Sequence, residues 1–130
     1  MERYSIQVSP HELLTNFVNM LQIRIVNQGD QAVREVSARV ECRLVAGGKI
    51  RERYLVGENK FAGDISSDGM MLEWKMELSK KGPLTFSSGA FSFEHVVLVT
   101  ITDLDGTVTT KEVPLVVVPG RIMERSGGKE

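Results

Sequence analysis

The sequence predicts an all-β protein, folded as an antiparallel sandwich of about seven strands. Two observations carry that prediction. Apolar residues recur at every second position through most of the chain, and the breaks between those runs hold Gly, Pro, Asn, Asp and Ser rather than stretches of helical period. A third observation places the core: Trp74, the single tryptophan, lies in the middle of one alternating run.

The elements follow in order. Tyr4, Ile6 and Val8 alternate with Ser5 and Gln7 and predict a first strand, broken at Ser9-Pro10. Ser9-Pro10-His11-Glu12 has the form of a capping box, so a short helical turn is expected there, with Leu13, Leu14, Phe17 and Val18 on its apolar face. Leu21, Ile23 and Ile25 resume the strand pattern up to the turn Asn27-Gln28-Gly29-Asp30. The next strand is the clearest. Val36, Ala38, Val40, Cys42 and Leu44 form a dry face, and Ser37, Arg39, Glu41 and Arg43 a wet one. Gly47-Gly48 turns the chain into Lys49 to Val56, whose charges suit an edge strand.

After GDISSDG, residues 63–69, Met70, Leu72, Trp74, Met76 and Leu78 are predicted to point inward. Lys80 to Gly89 reads as a loop. Phe91, Phe93, His95, Val97, Val99 and Ile101 line the following strand, and Val113, Leu115 and Val117 the last. The turn Asp103-Leu104-Asp105-Gly106 fixes their register. A three-residue loop with Gly106 left-handed pairs Asp103 with Thr107, which sets Val97 opposite Val113 and His95 opposite Leu115. Pro114 has no N–H for a ladder, so the last strand is expected to be an edge or to bulge there. The two sheets and their spacing make the expected fold an immunoglobulin-like β-sandwich with Trp74 at its centre.

Composition bounds the function. The chain has 130 residues, 42% apolar and 25% charged, with a net charge of −1. That predicts one domain over residues 1–119 and a flexible tail over 120–130, where ERSGGKE carries no apolar side chain. No basic stripe with interleaved aromatics appears, so no nucleic-acid partner is expected. No run reaches the length of a membrane span or of a signal-peptide core. As written, the chain is expected in the cytoplasm, or at the cell surface if it is excised from a longer exported one. Cys42 is the single cysteine, so the fold rests on no internal disulfide; between Val40 and Leu44 it reads as a core residue.

The stretch MLQIRIVNQGDQAVREVSARVECRL, residues 20–44, resembles the adhesion-related immunoglobulin-like domains called CARDB-like. Those share a strand ending in an Asn-x-Gly turn, followed by a strand of alternating valines. GDISSDGMMLEWKMEL resembles the same family's glycine-rich turn before a strand with a central tryptophan, and VLVTITDLDGTVTTKEVPLVV its final hairpin. The resemblance covers residues 20–118 and implies a module that spaces, presents or binds other proteins. It implies no active site and no cofactor, and the chain is read as non-enzymatic with a protein partner.

A second resemblance is to the PilZ domain, a β-barrel that binds cyclic di-GMP. Arg39 and Arg43 spell R-x-x-x-R, and Asp64, Ser66 and Gly69 spell D-x-S-x-x-G. It implies that these five residues grip phosphate and guanine edges through planar guanidinium groups. Against it, both arginines fall inside a regular strand preceded by others, and GDISSDG has ordinary turn chemistry. Asp103-Leu104-Asp105-Gly106 lacks the later acidic ligand of a calcium loop. His11, His95 and Cys42 lack the paired spacing of a zinc site.

Overall fold

The computed structural model describes residues 4–29, 32–61, 70–80 and 82–120. Nine strands run through them: β1 (Tyr4–Ser9), β2 (Glu12–Leu14), β3 (Val18–Asn27), β4 (Val33–Ala46), β5 (Lys49–Phe61), β6 (Met70–Glu77), β7 (Phe86–Ser87), β8 (Ser92–Asp103) and β9 (Val108–Val118). Seven of them have six or more residues; β2 and β7 are short. One sheet has the order β1-β3-β6. The other has the order β2-β9-β8-β4-β5, with β7 beside β8. No helix among the described residues is long and apolar enough to cross a membrane.

The alternation read from the sequence is what closes the two sheets on each other. Ile23 and Ile25 from one sheet, and Val36, Val40, Val97, Val99 and Ile101 from the other, are none more than 1% exposed. Burying each such side chain contributes about 1.5–3 kcal/mol, which favours this pairing over any register shifted by one residue. Trp74, Met76 and Leu78 join the same core, as expected. The hairpin register also holds. Asp103 N–H donates to Thr107 O at 3.1 Å, Gly106 has a φ of +89°, and His95 stands opposite Leu115.

Two segments differ from expectation. The helical turn after Ser9 is a strand. Beyond the cis Ser9–Pro10 bond the chain crosses to the larger sheet, where β2 runs parallel to the end of β9. Val116 N–H donates to His11 O at 2.8 Å, and Thr15 N–H to Val118 O at 3.0 Å. Backbone pairing and the complete burial of Leu13 override the local capping signal. The loop Lys80 to Gly89 contains β7, which pairs Phe86 with Phe93. Phe91, expected on the following strand, precedes β8; it is exposed and meets Phe86 and Phe93 with tilted and edge-on rings whose centroids lie 5.8 Å from its own.

β5 is an edge, as its charges predict, and it carries two irregularities. Val56 and Arg51 are extra residues opposite the Val40/Glu41 and Leu44/Val45 steps of β4. Each one re-phases the strand and bends it. Gly57, just past the first, faces the core: a Cβ there would lie 3.4 Å from both Trp74 Cζ2 and Met76 Cε. A methyl group fills that space and a branched side chain does not. Gly57→Ala is therefore expected to change stability by less than about 1 kcal/mol. Gly57→Val is expected to cost about 1–3 kcal/mol through overpacking on the indole. Urea denaturation of the two variants beside the parent chain checks this; equal midpoints for both would contradict the contact.

Candidate functional site

Strand alternation decides which backbone groups of β9 face a neighbour. Thr107 bonds to Asp103, and the register continues through Thr109, Lys111, Val113 and Leu115 against Ile101, Val99, Val97 and His95. Those odd-numbered residues exchange hydrogen bonds with β8, so the even-numbered ones turn theirs to the opposite side. Val116 confirms the phase, because its N–H bonds to His11 in the segment leading into β2. β2 covers only Val116–Val118. Among the described residues, the N–H and C=O groups of Thr110 and Glu112 and the C=O of Pro114 therefore face no strand. Pro114 fits because its nitrogen lies on the side that β8 does not use.

This open edge borders a cleft of about 630 Å³ between the two sheets. The other border is β1, also an outer strand of its sheet. Ile6, Val8 and Val113 supply apolar lining, and His11, Arg24 and Lys111 bring basic groups to it. Among the described residues its one acidic lining residue, Glu112, is already engaged. Arg43 Nη2 donates to Glu112 Oε1 at 2.6 Å and Nη1 to Oε2 at 3.3 Å.

That ion pair belongs to a network on the outer face of the larger sheet. Arg43 Nε donates to Glu41 Oε2 at 2.7 Å, Arg53 Nη1 to the same oxygen at 3.1 Å, and Arg39 Nη2 to Glu41 Oε1 at 3.5 Å. The face expected to be wet is not wet here, since Glu41 is 3% and Arg43 8% exposed. Burial pushes the Glu41 carboxyl up, but hydrogen bonds and charge from Arg43 and Arg53 outweigh it and hold the group below its ordinary range. The Glu112 carboxyl is held low chiefly by its hydrogen bonds from Arg43. The same contacts raise Arg43 further above its ordinary value, with Glu112 the main cause.

The candidate residues of the cyclic-dinucleotide resemblance are thus placed as follows. Arg39 and Arg43 share one face of β4, where both contact Glu41; Arg43 is buried, and the Arg39 side chain is 47% exposed. Asp64, Ser66 and Gly69 lie outside the described residues. Cys42 and His95 are cross-strand neighbours, while His11 lies in the cleft beside β9. Sequence reasoning missed the cleft; its one sequence signal was Pro114. It missed the network because Arg43 reaches across β8, a contact between residues 69 positions apart.

No family model matches the chain, and the search of curated proteins found no match. Solved structures are. Spo0M, a sporulation control protein from Bacillus subtilis, has a TM-score of 0.65 at 9% identity, over 88% of this chain and 48% of that one. The chain therefore spans about half the length of Spo0M, and the likeness shows the fold alone. Superoxide reductase (neelaredoxin) from Ignicoccus hospitalis has a TM-score of 0.41 at 10% identity, over 90% of this chain and 81% of that one. That second likeness corrects the reading of the chain as non-enzymatic, because an enzyme stands among its β-rich neighbours. The missing motifs do not exclude catalysis, since one fold hosts many activities. At that TM-score the likeness carries no argument for reductase chemistry.

Glu41→Gln keeps the shape of the buried acid and removes its charge. It is expected to cost about 1–3 kcal/mol, the worth of charge-assisted hydrogen bonds. Both carboxyls have folded values below their ordinary 4.5, so their contribution is complete above that value and is lost as the pH falls through the folded values. Denaturation midpoints measured from neutral pH downward should fall below pH 4.5 in the parent chain and less steeply in Glu41→Gln.

Proposed function

We propose that this chain is an immunoglobulin-like domain that holds a partner protein by adding an extended segment of it along the open edge of β9. The strand path supports the first part. β3 crosses to β4 in the other sheet, β4 and β5 form a hairpin, β6 returns beside β3, and β8 and β9 close the larger sheet. That is the connectivity expected of such sandwiches, with one outer strand divided between the sheets.

One observation carries the second part: the edge of β9 already accepts a strand, β2, and stops doing so where the cleft begins. A partner segment placed beside Thr110 and Glu112 would continue what β2 does, with main-chain bonds giving affinity. Its alternate side chains would meet Ile6, Val8 and Val113, and acidic ones would meet Arg24 and Lys111. β5 serves this purpose less well. Its edge carries Lys49, Arg51, Glu52 and Arg53 and two bulges, the features that discourage added strands.

A synthetic peptide of alternating valine and glutamate tests the reading. Hydrogen exchange should show the Thr110 and Glu112 amides newly protected in its presence. Thr110→Pro removes a backbone donor that β8 does not use, together with the hydroxyl contact to Thr100 at 3.2 Å, so it should weaken binding about tenfold, whereas Thr110→Val, which loses the hydroxyl contact alone, should leave binding unchanged and match its denaturation midpoint. Lys111→Glu should weaken it as well and flatten its salt dependence. Protection confined to β5, or none at all, would sink the proposal.

A further inference from the structure

The inward rows of the larger sheet run on past the core. Beyond His95, which is buried, the row of β8 continues as Phe93; beyond Cys42, also buried, that of β4 continues as Leu44. Phe93 and Leu44 are only half-buried. Phe86 of β7 pairs with Phe93, and Phe91 meets both rings. Phe86 is 48% and Phe91 39% exposed, and Leu84 just before them is exposed too. Clustered apolar side chains left open to water in this way mark a surface that another body covers.

The turn between β7 and β8 suits a poorly hydrated place. Residues 82–93, GPLTFSSGAFSF, carry no charge. Ser88 N–H donates to Phe91 O at 2.9 Å, and the Ser88 hydroxyl donates to the same oxygen at 3.0 Å. That hydroxyl also accepts the Ala90 and Phe91 N–H groups, each at 3.2 Å. Three N–H groups of the turn therefore stay bonded when water leaves, which lowers the cost of burying its backbone. A Cβ at Gly89, or at Gly48 in the neighbouring β4–β5 turn, would meet no described atom within 4 Å. The two turns lie side by side, lining one shallow depression.

Basic groups surround this end. Lys49 follows Gly48, and Arg51 Nε donates to Ala46 O at 3.2 Å, which holds its guanidinium at the β4–β5 turn. Lys80 is exposed in the turn closed by Gly82 N–H on Ser79 O, whose ends adjoin Tyr54 and His95. Lys81 follows it in sequence. The acidic residues of the adjoining strand ends are Glu52 and Glu94. An uncharged aromatic tip with a basic surround matches an anionic lipid surface, where rings settle at the acyl boundary and cations among the headgroups. A second copy set on this end would bring its own cations against these.

We propose that the β7–β8 turn attaches the protein to the surface of an anionic lipid bilayer, with Phe86 and Phe91 in the interface and Lys49, Arg51 and Lys80 at the headgroups. The attachment does not use the open edge of β9.

Cosedimentation with vesicles tests it. The chain should bind vesicles of equal parts phosphatidylserine and phosphatidylcholine, and bind phosphatidylcholine alone about tenfold more weakly. Added salt should weaken the first. Phe86→Ser with Phe91→Ser should weaken it about thirtyfold, because two half-exposed rings no longer leave water. Lys49→Glu with Lys80→Glu keeps the rings; it should weaken binding about tenfold and leave the denaturation midpoint unchanged. Ala90→Trp puts a fluorophore at the tip, which brominated lipid should quench. Val108→Trp, exposed beside the other end of β8, should not be quenched, and Trp74, buried in both variants, gives them a common background. Failure to sediment with the phosphatidylserine vesicles, or equal quenching of the two tryptophan variants, would overturn the proposal. So would self-association of the parent chain that the double serine variant abolishes while vesicle binding is unchanged, for the rings would then cover a second copy.

Discussion

Everything in this molecule depends on the alternate side chains of β8 being shut away from water. Val97, Val99 and Ile101 are fully buried, with β4 on one side of their strand and β9 on the other. A slip of one residue in either ladder would turn that row outward and put Leu98 and Thr100 in its place. The cost of exposing three aliphatic side chains, about 1.5–3 kcal/mol each, is what pins both registers. Once they are pinned, the rest is forced. The odd-numbered groups of β9 are committed to β8, the even-numbered ones are left for the other side, and Glu41, Arg43 and Glu112 are fixed on the outer face.

How legible this was in the sequence varied with the range of the interaction. Local chemistry read well. Gly106 and its Asp neighbours identified the β8–β9 turn, and the period of two identified the inward rows of β3, β4, β6 and β8. The misreadings occurred where a distant partner outweighed a local signal. Ser9-Pro10-His11-Glu12 has the residues of a helix start, but the His11 carbonyl is taken by Val116 and Leu13 by the core. The outer face of β4 alternates like a solvated one, and only the fold brings Arg53 and Glu112 around Glu41 and Arg43. Of the candidate site, the edge was foreshadowed by Pro114 alone, and nothing local told of the basic cleft beside it.

The two sides of the larger sheet solve the problem of unpaired backbone differently. On the β5 side, charge and two bulges make the edge a poor template. On the β9 side the chain supplies its own strand for three residues and then leaves the ladder regular and open. The engagement of Glu112 by Arg43 sharpens that asymmetry. Among the described residues it takes the one carboxylate lining the cleft out of play and leaves Arg24 and Lys111 there without an acidic neighbour in that lining. A network that first looks like scaffolding therefore also decides which sign of charge the cleft attracts.

β9 changes neighbours along its length. Before Pro114 its outer side lacks one among the described residues; after Leu115 it loses β8 and takes Thr85 instead. The stretch Val116–Val118 is held by β2 on one side and by Thr85 on the other, and so fixes the end of the open edge. A segment added beside Thr110 and Glu112 would therefore meet a fixed stop. Moving that stop would require β2 to shift, and Leu13, completely buried beneath it, opposes that shift with the cost of exposing a core leucine.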